Sequence, residues 1–344
     1  AGLVSAPAFA QSNVTIYGVA DAGLAWGEHG DNDFSGVLSG VLSGSRLGFR
    51  GTEDLGNGLK AVFVLEQGFN IDTGTDMAAG NSFARQAFVG LGGAFGTVAL
   101  GRQYAPGYDQ TYDALVSSGI SPHAVLTADS GSTIAPNSNA RWSNSVSYKG
   151  SFSGVTVRGI YSMDAVEGVA TVADPSDDDA YGLGLEYANG PLKVGAVYQM
   201  VQLDKTAGQN ADQEEWLIGG SYDFGMVKLD ASYQDSEGLR NVNKNDADLW
   251  QVGLTVPVSA AGNVHLAYGE LDYDNVKDGK AKSIGLAYTH GLSKRTTAYT
   301  GYNFVDNGTG TDAGIGSGQL NNVAAPAHAG KESHLFVVGV RHAF

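Results

Sequence analysis

The sequence has 344 residues, a formal net charge of −16 and no cysteine, so disulfide frameworks and thiolate metal sites are excluded. The acidic balance also argues against a nucleic-acid partner, which needs basic surface to displace counterions from phosphate. Glycine numbers 50, about twice the usual share of ~7 %, and charged residues make up 16 % against about 25 % in soluble domains. One large β structure fits these values better than two soluble domains.

The chain begins AGLVSAPAFA, an apolar stretch that ends in Ala8-Phe9-Ala10 before Gln11. It reads as the tail of a secretory signal peptide over residues 1–10, with an ordinary flexible terminus as the alternative. Residues 11–344 read as one domain. Period-two segments lie near 13–26, 45–54, 59–69, 83–93, 95–103, 141–152, 154–163 and 179–188. Eight more lie near 191–202, 214–223, 225–236, 246–257, 262–273, 281–289, 294–306 and 331–344. The connections alternate. DLGNG, GGAFG, GSFSG, ANGP, YDFG, SAAG and HGLS are short and suit tight hairpins. Longer polar loops are expected at 27–44, 70–82, 104–140, 164–178, 203–213, 237–245, 274–280 and 307–330.

An even strand number with short turns on one side and long loops on the other is the pattern of a transmembrane β-barrel. Segments of about 9–11 residues match a tilted strand crossing a bilayer. In VKLDASYQ, Val227, Leu229, Ala231 and Tyr233 share one face and Lys228, Asp230, Ser232 and Gln234 the other. The polar face is expected to meet a water-filled lumen, and Trp26, Phe69, Tyr148, Trp216 and Tyr222 to form interfacial girdles. The first strand departs, because its outward positions Gly18, Ala20 and Ala22 are small. Either a subunit packs there or the wall is locally thin. The fold class expected is all-β: a 16-stranded antiparallel barrel with short periplasmic turns and long extracellular loops.

The stretches VTIYGVADAGL (14–24), SRLGFRGTEDLGNGLKAVFVLEQGFN (45–70), ARQAFVGLGGAFGTVALGRQYAPGYD (84–109), ARWSNSVSYKGSFSG (140–154) and the terminal VGVRHAF carry a resemblance across residues 11–344. The sequence resembles the Gram-negative general porins of the β-proteobacterial type. The resemblance implies a homotrimer of barrels in the outer membrane, each passing ions and small hydrophilic solutes by passive diffusion. It implies contact with outer-membrane lipid and lipopolysaccharide. It also implies a terminal strand, with Phe336, Val338, Val340, His342 and Phe344 in step, that is read by the outer-membrane assembly machinery. Residues 104–140 match the constriction loop of that family, which the resemblance implies is an inward-folded third loop; its charge-free middle, Ala114 to Ala128, is expected to hold a short helix. The Pro-Glu-Phe-Gly-Gly stretch of some porins is absent from this loop.

By the same resemblance, Arg46, Arg85 and Arg141 form the basic wall of the constriction and Glu66 matches a nearby lumenal acid, while strand parity adds Arg50, in step with Arg46, and Lys149, in step with Arg141, to the pore lining. Asp109 and Asp113 are the candidate acids of the loop. Strand parity aligns Arg85 with Ala87 and Val89, and sets Arg141 opposite Trp142. Arg102 shares the apolar parity of Val98 and Leu100, which suits an intersubunit contact. Arginine stays protonated at any working pH. At ~8 Å one charge shifts a passing ion by roughly 0.5 kcal/mol in water and ~2 kcal/mol at an effective dielectric of 20. A weak-to-moderate anion preference is therefore expected, unless Glu66, Asp109 and Asp113 neutralise the arginines.

Two other classes stand against this reading: a barrel enzyme of lipase or protease type, and a non-conducting adhesive barrel. The seven histidines are scattered, and no G-x-S-x-G or H-E-x-x-H motif occurs. No cofactor or metal is expected, and the acidic stretches GEHGDNDFSG (27–36) and DPSDDDAYG (174–182) lack EF-hand spacing.

Overall fold

A chain that alternates apolar and polar residues buries its backbone donors in lipid only by pairing every strand on both sides. The computed structural model describes residues 13–78, 80–115, 119–136, 141–163, 179–202, 212–314 and 329–344. The signal-peptide reading of residues 1–10 lies outside the described residues. In chain order the strands are β1 (Asn13–His29), β2 (Asn32–Ser39), β3 (Arg46–Gly56), β4 (Leu59–Asn70), β5 (Thr75–Asp76) and β6 (Gln86–Gly93). Next come β7 (Gly96–Tyr104), β8 (Arg141–Phe152), β9 (Val155–Met163), β10 (Asp179–Asn189), β11 (Leu192–Val201) and β12 (Gln213–Asp223). The last are β13 (Lys228–Glu237), β14 (Ala247–Pro257), β15 (Gly262–Tyr273), β16 (Lys280–Gly291), β17 (Thr296–Asn307) and β18 (Ser333–Ala343). β2 and β3 together occupy one place beside β1, and β5 pairs only with the end of β4, so sixteen strands form the closed antiparallel wall.

The tight turns follow from sequence. Asn57 and Gly58 join β3 to β4 with φ of 52° and 79°, the two positive values of a hairpin turn that Asn-Gly favours. Alternation fixes the register, since a one-residue slip would turn every side chain to the wrong face. In β10, Tyr181, Leu183, Leu185 and Tyr187 are exposed on the outside, while Gly182, Gly184 and Glu186 are buried. Outer aromatic rings pair across neighbouring strands toward the long-loop end, as Trp216 with Tyr233 at 5.5 Å and Trp250 with Tyr268 at 5.4 Å.

The seam is made by the first and last strands. Val19 to His29 of β1 pair with Ala343 to Ser333 of β18. One step further, the Gly18 amide donates to the Phe344 carbonyl at 3.0 Å and the Phe344 amide to the Gly18 carbonyl at 3.1 Å.

Two expectations for the long loops change. Residues 27–44 are not an open loop: β1 runs on to His29 and returns as β2, so GEHGDNDFSG is a hairpin. Residues 40–45 then turn into the barrel, with Val41 fully buried. In the third loop the helix, α1, spans Pro122–Ser130 rather than 114–128. Ser121 caps it by accepting from the Ala124 amide at 3.3 Å, Pro122 opens its first turn, and Gly131 ends it at φ 78°. Proline cannot continue a helix from upstream, so the start is set at the Ser-Pro pair.

The third loop lies against the inside of β10 to β17 and is tied there by amide and carboxylate side chains. Gln199 accepts from the Gly107 amide at 2.7 Å, and Glu215 accepts from the Thr133 amide and hydroxyl, both at 2.7 Å. Gln251 donates to the carbonyls of Thr111 and Tyr112 at 3.1 Å each, and Asn303 donates to that of Ile120 at 3.1 Å. Ser232 and Gln234, expected to meet water, are 7 % and 1 % exposed beneath this loop. The polar face on that side therefore holds protein. The open lumen lies toward β3 to β9.

Gly18 has a use of its own. A Cβ there would stand 2.3 Å from Cζ of Phe344 and 2.6 Å from the Arg46 carbonyl, so the terminal ring covers this position from outside. It is buried by its own chain, which corrects its reading as bare surface for a neighbour. Gly18→Val should displace Phe344 and loosen the seam by about 1–3 kcal/mol, the usual cost of overpacking. The check is a lower temperature of heat-induced mobility shift on a gel.

Candidate pore constriction

The inner wall beside the third loop carries a dense group of cations. Arg46 opens β3, Glu66 lies on β4, Arg85 stands just before β6, and Arg141 opens β8 opposite Tyr104 at the end of β7. Nε of Arg85 donates to Glu66 at 2.7 Å, and Nε of Arg46 is 3.7 Å from the other carboxylate oxygen. Tyr17 and Tyr104 also donate to Glu66, at 2.9 and 3.2 Å. Tyr108, in the 3-10 turn Pro106–Tyr108, stacks on Tyr104 with ring centres 3.8 Å apart. Arg141 lies 5.2 Å from the Tyr104 ring centre and 5.8 Å from that of Tyr108. Arg85 donates to both hydroxyls, at 2.8 and 3.3 Å. Arg50 lies 5.0 Å over the ring of Tyr17.

Arg46, Arg85 and Arg141 are thus brought together with Glu66, as the sequence predicts, but two steps of parity fail. Arg85 precedes the strand, and there the chain bends inward, although Val89 and Leu91 on the same parity face outward. At β8 the register with β7 shifts between Gly101 and Gln103, and Asn144 has φ 47°. This bulge puts Trp142 inside, packed with Ala105 and Ile160, and not on the outer face.

The loop acids divide. Asp109 faces the wall, 3.6 Å from both Lys149 and Arg158. Asp113 turns into the loop, accepting from the Leu115 amide at 3.0 Å and from the Ser121 hydroxyl, and so caps the approach to α1 rather than facing the arginines. Arg158 was not singled out by the sequence. Its signal was the inward parity of Thr156, Arg158 and Ile160 on β9, and it also lies 3.9 Å from Glu186, with Lys193 3.9 Å from the same carboxylate. Tyr104 and Tyr108 were missed too. A cavity of about 510 Å³ opens beside this group, with Arg50, Gln103, Tyr104, Asp109, Lys149 and Arg158 in its lining.

Among the described residues, Arg46 and Arg85 share one carboxylate, and neither Arg50 nor Arg141 has one within 4.0 Å. The Nε of Arg141 is buried without a hydrogen-bond partner there. The wall therefore carries more positive than negative charge. Outside it, Arg102 donates to the Ala84 carbonyl at 2.8 Å and to Ser143 at 2.9 Å. Ala20 and Ala22 lie half-buried on the outer face of β1. Phe336, Val338, Val340 and Phe344 form the exposed outer row of the last strand, with His342 bonded to Thr296 at 2.9 Å. Among the described residues, no group of three His, Asp or Glu side chains is placed to hold a metal ion.

The loop's ionisable groups show how it is seated. Burial holds the imidazole of His123 below its usual range, against the opposing pull of Asp113, and it lies neutral between Gln234 and Gln251. Burial pushes Asp129 up to about 6; Arg240 opposes this and Asp312 adds to it. A raised carboxyl binds its proton more tightly in the folded state, so its ionisation costs stability as pH climbs from about 4 to 6. Asp129→Asn should then stabilise the folded barrel by ~1–3 kcal/mol at pH 7 and change little at pH 4. Urea unfolding midpoints at the two pH values check this.

Residues 1–310 match the family model for Gram-negative porins. Outer membrane porin protein 32 of Delftia acidovorans is 35 % identical over 348 residues, covering 99 % of this chain and 96 % of the relative. The solved anion-selective porin from Comamonas acidovorans is 32 % identical, with a TM-score of 0.80 over 97 % of this chain and 100 % of its own. OmpT of Vibrio cholerae, solved in a trimer form, is 17 % identical and shares the fold, with a TM-score of 0.66 over 97 % of this chain and 99 % of its own.

Proposed function

From the premise that this chain belongs to the Gram-negative porin family, outer-membrane barrels that pass small hydrophilic solutes by passive diffusion, we propose that its pore favours anions. One observation carries this reading. Four guanidinium groups, on Arg46, Arg50, Arg85 and Arg141, gather around the single carboxylate of Glu66. The relative from Comamonas acidovorans, named for its anion selectivity, supports it. In this reading the barrel does no chemistry; solutes move down their gradients past a positive wall. Lys149 and Arg158 extend that wall, each partly offset by Asp109.

A narrowed channel strengthens the effect, because each charge acts through protein and ordered water at an effective dielectric nearer 20 than 80. The reversal potential of single channels in a salt gradient should have the sign of anion preference. Arg141→Ala and Arg50→Ala should each reduce the anion-to-cation permeability ratio by about twofold or more. A cation preference in the parent channel would sink the proposal.

The working unit is a homotrimer in this proposal. The support is the trimer form of the Vibrio cholerae relative and the small outer residues Ala20 and Ala22, beside which another barrel could approach closely. Arg102 belongs to the same contact. Residues 1–10 are the tail of a cleaved export signal, and the outer row from Phe336 to Phe344 is what the assembly machinery reads. Ala22→Trp should convert the unheated gel species from trimer to monomer while the barrel still resists proteolysis.

A further inference from the structure

The ladder between β1 and its neighbours contains a defect. Ala22 pairs with Ser39 of β2, so an unbroken ladder would set Val19 opposite Leu42. Val19 instead pairs with Arg46 of β3, so four residues are looped out of the wall. The looped segment points into the barrel, and its anchor is a carboxylate. Asp21, fully buried on the inner face of β1, accepts from the amides of Leu42 at 3.0 Å and Ser43 at 2.9 Å through one oxygen. Through its other oxygen it accepts from the Tyr299 hydroxyl at 2.7 Å. Ser45 closes the base, accepting from the Asp21 amide at 3.0 Å and donating to the Asp21 carbonyl at 3.1 Å.

The segment held in this way touches both halves of the constriction. Nη1 of Arg46 donates to the Ser43 hydroxyl and to the Gly44 carbonyl, both at 2.9 Å. Gly44 lies so near the wall that a Cβ on it would stand 2.9 Å from Nη1 of Arg85. On the other side, the Val41 carbonyl accepts from the Gly119 amide of the third loop at 3.1 Å, and Val41 packs in one cluster with Leu115 and Ile120. We propose that Asp21 is a positioning residue of the channel: it holds residues 40–45 in the lumen as a second constriction element, which aims Arg46 and braces the tip of the third loop.

A four-residue excursion that faced water alone would gain little for the conformational entropy it costs. Two buried backbone amides on one carboxylate offset that cost, because charge-assisted bonds are roughly twice as strong as neutral ones. The geometry can be kept without the charge. An asparagine at position 21 can accept both amides through its oxygen and donate through its nitrogen to the Tyr299 oxygen. Alanine can do neither.

This inference rests on the anion reading above, and the test separates the two. Single-channel conductance and reversal potential are measured for the parent, Arg46→Ala, Asp21→Asn and Asp21→Ala. The expected result is that Asp21→Ala lowers the permeability ratio by about twofold, the effect of one displaced charge, and changes conductance, while Asp21→Asn stays near the parent. If Arg46→Ala alters nothing, the anion reading fails. If Arg46→Ala lowers the ratio and Asp21→Ala does not, or if Asp21→Asn acts like Asp21→Ala, the positioning role is overturned.

Should Asp21→Ala not assemble, the chain's lack of cysteine gives a second route. Ser43→Cys is treated with a negatively charged methanethiosulfonate during recording. A fall in current and in the permeability ratio supports a lumenal segment beside Arg46; an unreactive thiol, or a reaction without effect, overturns it.

Discussion

Closure of the hydrogen-bonded ladder is the constraint on which the molecule depends. Lipid offers no partner to a backbone amide, so an open edge in this sheet would leave a whole row of groups unpaired. The chain meets the demand at one seam, where β1 takes β18 along its upper length and the Gly18–Phe344 pair finishes the contact. Glycine at position 18 leaves room for the Phe344 ring, which covers that position from outside. Once the ladder is closed, the outer face is committed to apolar side chains and the inner face is left to do the selecting.

The inner face does not act as one surface. On β11 to β17 its polar groups are spent on the third loop, with Gln199, Glu215, Gln251 and Asn303 taking up loop amides and carbonyls that would otherwise be stranded in a low-dielectric interior. Apolar residues on the same face, such as Leu249 and Leu271, pack with Val125 and Leu126 of α1. The loop thereby becomes part of the wall and narrows the lumen. The cavity beside the arginines stays open, and the seated loop stands opposite them.

Most of this was legible in the sequence because a barrel strand writes its two faces in alternate letters. All sixteen expected segments correspond to strands, and the Asn-Gly turn needs no tertiary context. What failed were the places where the ladder slips. Residues 27–44 look like loop because Gly, Asp and Asn dominate them, yet the β1–β2 ladder overrides that propensity. Arg85 and Trp142 were set on the wrong parity because a strand start and a bulge at Asn144 shift the count, and neither leaves a mark in the alternation. Gln234 could be read as facing inward, but not as facing protein, since the position of the loop is a tertiary fact.

The overall charge of −16 shows the same limit in electrostatics. Acids on the outer hairpins, such as Asp31 and Asp33, are exposed, and salt screens them beyond a Debye length of ~8 Å. Several of the described carboxylates that lie inside are already bonded. Asp21 holds two amides and a tyrosine, Glu215 holds the loop, Asp113 caps a turn, and Glu186 serves Arg158 and Lys193. Among the described residues, only Glu66 stands among the constriction arginines, and it faces two of them at once. An ion in transit samples the few charges within several ångströms of its path, so a strongly acidic chain can present a positive throat. The sign is decided by where the acids are bonded rather than by how many there are.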